Sequence, residues 1–168
     1  MPTFNEDIHV RADLTAETVT AQAGQFSSAW LTSSGQIDTP NVVYQFPVCY
    51  SQPINATVAN ASVDVFIATE VCNLASFKVF NSTAPTGDRS FTVDLQKSTG
   101  GGAFATILSA VITRNSSDTD RTTETATISN AALIAGDVLR VVVAYTAGTT
   151  GTVPLGVAAQ IMVEQNGQ

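Results

Sequence analysis

The sequence predicts an all-β protein: an antiparallel, jelly-roll-like β-sandwich of about seven or eight strands, preceded by an extended N-terminal arm. Three observations carry this expectation. Short segments alternate apolar and polar residues with period two, as in Phe91-Thr92-Val93-Asp94-Leu95-Gln96, where one set of side chains faces a core and the other faces water. Turn-forming residues punctuate the chain between these segments, and helix signals are nearly absent.

Residues 1–58 read as the arm. Their apolar side chains Ile8, Val10, Leu14, Phe26, Trp30, Leu31 and Ile37 are widely spaced, as suits a segment that lies across another surface and inserts an anchor every few residues. Within this stretch Val42 to Val48 has strand character, and Pro47 suits an edge position or a strand start because proline donates no ladder hydrogen bond.

Residues 59–168 read as the sandwich. Strands are expected at Val63 to Thr69, Leu74 to Phe80, Phe91 to Gln96, Phe104 to Ile112, Arg121 to Ile128, Leu139 to Tyr145 and Val153 to Glu164. The turns have identifiable chemistry: Asn81 to Asp88 contains Pro85 and Gly87, and Gly100-Gly101-Gly102 and Gly148 to Gly151 tolerate positive φ. Only Ser129-Asn130-Ala131-Ala132-Leu133 resembles a helix start, and Gly136 ends it, so one short helical turn is expected there. Phe66, Phe77, Phe80, Phe91 and Phe104 lie in apolar strand faces and are read as core.

At 168 residues the chain is long enough to bury a core without a metal or disulfide, and its 12% charged and 44% hydrophobic residues are globular proportions. A net charge of −7 with only seven scattered Lys and Arg offers no basic stripe for phosphates, so nucleic acid is not an expected partner. No apolar run approaches the roughly 20 residues of a membrane span, and the acidic start lacks a secretory signal, so synthesis in the cytosol and no membrane partner are expected. Cys49 and Cys72 are then two free, buried thiols.

The search for chemistry points away from catalysis. The chain has a single histidine, His9, among acidic neighbours in the arm, too little for a nucleophile–base pair. Two distant cysteines and one histidine do not make a zinc set. Asn115-Ser116-Ser117-Asp118-Thr119-Asp120 carries alternating oxygen donors but lacks the glycine and distal glutamate of a calcium loop, and it reads as a turn bonded to itself. Asp64, Glu70, Asp94, Glu124 and Asp137 show no local convergence of the kind a glycosidase needs. Catalytic, metal and cofactor sites are therefore expected to be none, and the protein is not expected to be an enzyme.

Several segments together resemble proteins that decorate tailed-phage capsids, the decoration, cement or head-fibre proteins. The similar elements are Val10-Arg11-Ala12-Asp13-Leu14-Thr15 followed by Gly24 and Ile37-Asp38, then Val65-Phe66-Ile67-Ala68-Thr69, Phe91 to Lys97, and Leu133-Ile134-Ala135-Gly136-Asp137-Val138-Leu139-Arg140-Val141. The resemblance implies a structural virion component on the capsid exterior, often a homotrimer, whose arm grips the major capsid protein while the sandwich projects outward. The competing expectations are a host-recognition or carbohydrate-binding module of a tail fibre and a sandwich hydrolase.

Overall fold

The computed structural model describes residues 43–166, which form ten strands and no helix. In chain order these are β1 (Val43–Ser51), β2 (Ala61–Ile67), β3 (Cys72–Thr83), β4 (Ser90–Ser98), β5 (Ala105–Thr106), β6 (Ile112–Arg114), β7 (Glu124–Ala126), β8 (Ala132–Leu133), β9 (Val138–Thr146) and β10 (Leu155–Asn166). One antiparallel sheet has the order β1-β10-β3-β7, with β8 also on β3, and the other has the order β2-β9-β4-β5, with β6 also on β4.

Taking β5/β6 and β7/β8 each as one broken strand, eight strands remain, and the first pairs with the last, the second with the seventh, the third with the sixth and the fourth with the fifth. This nested pairing is the jelly roll, a long antiparallel ribbon folded over on itself into two facing sheets. It explains why a chain with mostly short turns still depends on long-range pairing, since β1 and β10 join the two extremes of the sandwich.

The core lies between the sheets and follows the alternation seen in the sequence. Phe91, Val93 and Leu95 of β4 and Leu139, Val141 and Val143 of β9 are buried from one sheet; Leu74, Phe77 and Val79 of β3 and Val157, Ala159, Ile161 and Val163 of β10 are buried from the other. Two irregularities reset the alternation. Between Met162 and Val163 of β10 the partner on β3 jumps from Ser76 to Leu74, so Ala75 is the extra residue of a bulge and both Leu74 and Phe77 turn inward. A second bulge in β2 makes Val65 the extra residue opposite β9.

Several expectations change. The sandwich begins at β1, so Val43 to Ser51 belong to it and the division between residues 58 and 59 falls inside the sandwich; β1 is an edge strand, with Pro47 at its centre as its lack of a donor requires. Phe104 to Ile112 is not one strand. Ile107 N–H bonds to Leu95 of β4, while Leu108 bridges to Ile128 and Ser109 N–H bonds to Thr127, so the strand is broken here, between β5 and β6 on the same sheet, with both Ile107 and Leu108 buried.

The expected helical turn at residues 129–136 is instead β8, paired with Cys72 and Asn73 of β3. A tight turn follows, with Gly136 at φ +88° and the Ile134 N–H donating to Asp137 Oδ2 at 3.0 Å. A helix there would have left Leu133, now fully buried, without its place in the core. Burial pushes the Asp137 carboxyl up, but the Ile134 N–H, the Thr99 hydroxyl and the Lys97 ammonium at 3.6 Å outweigh it and hold the carboxyl below its usual range.

At the opposite end of the sandwich, Asp88 ties two loops together. Its carboxylate accepts from the backbone N–H and the hydroxyl of both Thr149 and Thr150, at 2.8 to 3.1 Å, and these bonds hold it far below the usual carboxylate range. The neighbouring Gly87 is obligatory: it sits at φ +67°, and a Cβ there would lie 2.6 Å from the Thr150 carbonyl oxygen. Because the folded state binds this proton less readily than the unfolded chain, the Asp88 contribution is fully present above an unfolded value of about 3.9 and is lost as pH falls from there through the folded value. Asp88→Asn is therefore expected to lower Tm at pH 7 and to flatten the loss of Tm between about pH 4 and pH 2. An unchanged slope in acid would show that other carboxylates govern that transition.

Candidate functional site

The anchors expected in the arm, Ile8, Val10, Leu14, Phe26, Trp30, Leu31 and Ile37, lie outside the described residues, as does His9. Among the described residues, the candidate carboxylates are each engaged by a protein partner. Asp64 pairs with Arg140 at 2.7 Å, Asp94 accepts from Thr106 and Gln96, Glu70 accepts from Gln165, Glu124 lies 3.4 Å from Arg114, and Asp137 holds Lys97. Each carboxylate thus has its own partner, with Asp64 and Asp94 on the outer face of the β2-β9-β4-β5 sheet and Glu70 and Asp137 both near Cys72. No three His, Cys, Asp or Glu side chains among the described residues converge as a metal site.

The Asn115 to Asp120 loop is closed by protein donors. Asp118 accepts from the Asn115 N–H at 2.6 Å and lies 3.2 Å from Arg114 Nη1, and Asp120 accepts from the Ala84 N–H at 2.6 Å. Arg114 is the centre of this arrangement. Its side chain is 3% exposed, and it also donates from Nε to Asn81 Oδ1 at 2.9 Å and from Nη2 to the Thr119 carbonyl at 3.2 Å. The sequence expectation of a self-bonded turn is met in kind, with Arg114 as the partner that local sequence did not reveal.

Both cysteines are free, but only Cys72 is buried; Cys49 is exposed, because odd-numbered positions of β1 point to the outer face of its sheet. Burial, then the nearby Asp137 and Glu70 carboxylates, push the Cys72 thiol up, which suits an inert core residue.

Two surfaces remain as candidates for binding. The first is one end of the sandwich, where β1 begins, β10 finishes and the β2–β3 and β8–β9 loops meet through Ala68 N–H to Asp137 O and Gly136 N–H to Ala68 O. Ile67, Val71 and Ile134 are exposed there by 63, 66 and 53%. Val71 falls opposite Ile134 by continuation of the Cys72–Leu133 pairing, so these two stand side by side, and with Ile67 exposed at the same end they make this tip of the sandwich apolar. A hollow of about 270 Å³ lined by Phe46, Phe66, Ile67 and Glu70 adjoins it, with the Phe46 and Phe66 rings 5.8 Å apart. Glu70 and Glu164 flank this end and have no Lys or Arg partner among the described residues.

The second surface is the outer face of the β1-β10-β3-β7 sheet. Strand pairing aligns Cys49, Gln160, Lys78 and Thr125 in one row and Ser51, Ala158 and Phe80 in the next. Ala158 is low between taller neighbours, and the face is indented by a groove of about 640 Å³ that continues past Phe80 toward Pro53 and Ile54 as a second hollow of about 440 Å³. Phe80, expected in the core, is 40% exposed in this groove. Residues 77 and 80 are an odd number apart, so with no bulge between them they must face opposite sides of the sheet.

No protein-family model and no curated protein matches this sequence.

Proposed function

We propose that this protein is a structural virion component that binds the outer surface of a phage capsid and stabilises the shell, with the major capsid protein as its partner and a homotrimer as its working form. The observation that carries the reading is the apolar tip of Ile67, Val71 and Ile134, placed at the end of the sandwich where the preceding residues 1–42 join β1. A rigid jelly roll that presents exposed apolar side chains beside its point of chain entry has the layout of a module held down at one end. Its acidic balance of −7 keeps it off packaged DNA, and Glu70 and Glu164 beside the tip suit a partner surface with basic residues around an apolar patch.

In mechanistic terms, such a protein stabilises by mass action. It binds the mature, expanded lattice in preference to immature or broken shells, so every occupied site shifts the equilibrium toward the intact particle. Repetition over the lattice and joining of copies in a trimer raise the effective concentration of each tip at its site.

The test begins with the molar ratio of this chain to the major capsid protein in gradient-purified virions of the encoding genome. A ratio of about one to one, or one to several, is expected of a lattice component; a few copies per particle, or none, would overturn the reading. The tip is tested by Ile67→Ser, Val71→Ser and Ile134→Ser combined. Because all three are exposed, each is expected to change folding stability by no more than about 0.5 kcal/mol while the triple variant loses attachment to shells. Removal of residues 1–40 is expected to leave a folded sandwich that no longer attaches, and retained attachment would assign binding wholly to the sandwich.

A further inference from the structure

We propose that the groove on the outer face of the β1-β10-β3-β7 sheet is a binding site for an acidic saccharide, a pyranose bearing a carboxylate, as in a hexuronate or a sialate. The groove lies toward the end of the sandwich opposite the apolar tip, because it runs past Ser51 at the finish of β1 and Phe80 near the finish of β3. None of the described residues at the tip lines this groove, so its test is separate from that of shell binding.

Three features identify the ligand chemistry. Phe80 offers an exposed ring, an apolar plate of the kind on which the C–H face of a pyranose stacks. Around it stand hydrogen-bonding groups that suit hydroxyls: the hydroxyls of Ser51, Thr123 and Thr125 and the amide of Gln160. Among the described residues Lys78 is the only charged one lining the groove, it is exposed, and it forms no ion pair. The exposed Lys78 ammonium is the groove's point of attraction for an anion in a chain of net charge −7, and a carboxylate on it gains the charge-assisted bond that fixes orientation.

The register sets the spacing. Lys78 and Phe80 are two residues apart on one strand and point the same way, so ring and ammonium stand about 7 Å apart at their Cα atoms, a span that one sugar ring and its carboxylate cover. Ala158, opposite Phe80, and Ser51, beyond it, are small enough to leave the floor on which the ring would rest. A neutral aliphatic ligand would leave Lys78 and Gln160 unpaired, and a small carboxylate alone would leave Phe80 uncovered.

The test uses the full chain titrated with D-glucuronic acid and with N-acetylneuraminic acid, with D-glucose and acetate as controls, read by calorimetry and by saturation-transfer NMR. Cys49 supplies a site-specific reporter, since it lines the groove and is exposed while Cys72 is buried, so occupancy is expected to slow alkylation of Cys49. Binding of one or both acidic sugars, at least about tenfold tighter than glucose or acetate, is the expected result, and the tighter of the two names the source. Lys78→Gln and Phe80→Ala, both at exposed positions, are each expected to weaken that binding about tenfold while the melting temperature falls by no more than about 5 °C. Equal binding of glucose, equal binding of acetate, no binding of either acidic sugar at about 20 mM, or insensitivity to both substitutions would overturn the assignment. So would concentration-dependent self-association abolished by Phe80→Ala, which would give the groove to a second copy of the chain.

Discussion

Arg114→Ala is expected to destabilise the fold by about 3 kcal/mol, as read from the urea midpoint with the slope unchanged. The two acidic partners, Asp118 and Glu124, have side chains 20 and 41% exposed, so solvent screens much of their attraction and neither explains a loss of that size. The weight falls on what the substitution leaves behind. Asn81 is fully buried, its Nδ2 already lacks a partner, and loss of the Arg114 Nε donor would leave its Oδ1 unpaired as well. The Thr119 carbonyl keeps its bond from the Thr122 hydroxyl but loses the one from Arg114, and the Asn115 to Asp120 loop loses the tie to β6. Arg114→Lys keeps the charge but cannot reach Asn81, Thr119 and the carboxylates at once, so a loss of about 1–2 kcal/mol is expected. If alanine costs less than about 1 kcal/mol, Arg114 is not the clamp of this loop.

Phe77→Ala is expected to cost about 3–5 kcal/mol, since the ring is fully buried on β3 between the sheets and its removal opens a cavity that strands on both sides cannot close. Phe80→Ala, three residues along the same strand, is expected to cost less than about 1 kcal/mol, because that ring is 40% exposed on the outer face. The contrast tests the register of β3. Similar losses at both positions would mean that Phe80 also packs in the core and that the groove it lines does not exist as described.

Much of this architecture was legible along the chain. The regular alternation in Phe91 to Gln96 and Leu139 to Tyr145 became β4 and β9, whose inward residues are fully or almost fully buried, and the glycine clusters became the turns that separate strands. Pro47 announced an edge strand before the sheet order was known. These features are local, so a few consecutive residues carry them. The misreadings were of another kind. Ser129 to Leu133 has the local appearance of a capped helix start, but Leu133 is needed in the core, and pairing with Cys72 and Asn73 overrode that preference. The apolar run from Phe104 to Ile112 hid a break in the strand between β5 and β6, which apolar composition does not mark because Ile107 and Leu108 are both buried.

The candidate surfaces were less visible for the same reason. Composition alone carries the expectation of no nucleic-acid partner. Nothing in the sequence joins Ile67 and Val71 to Ile134, more than sixty positions away, or Lys78 to Gln160 and Thr125. The sequence by itself determined the strands, the turns, the edge and the acidic, β-rich character, because side-chain alternation and turn chemistry act over a few residues. Only the tertiary structure decided which apolar residues stay in water, because that depends on the bulge at Ala75 and on long-range pairing that turns Phe77 toward the core and Phe80 toward solvent.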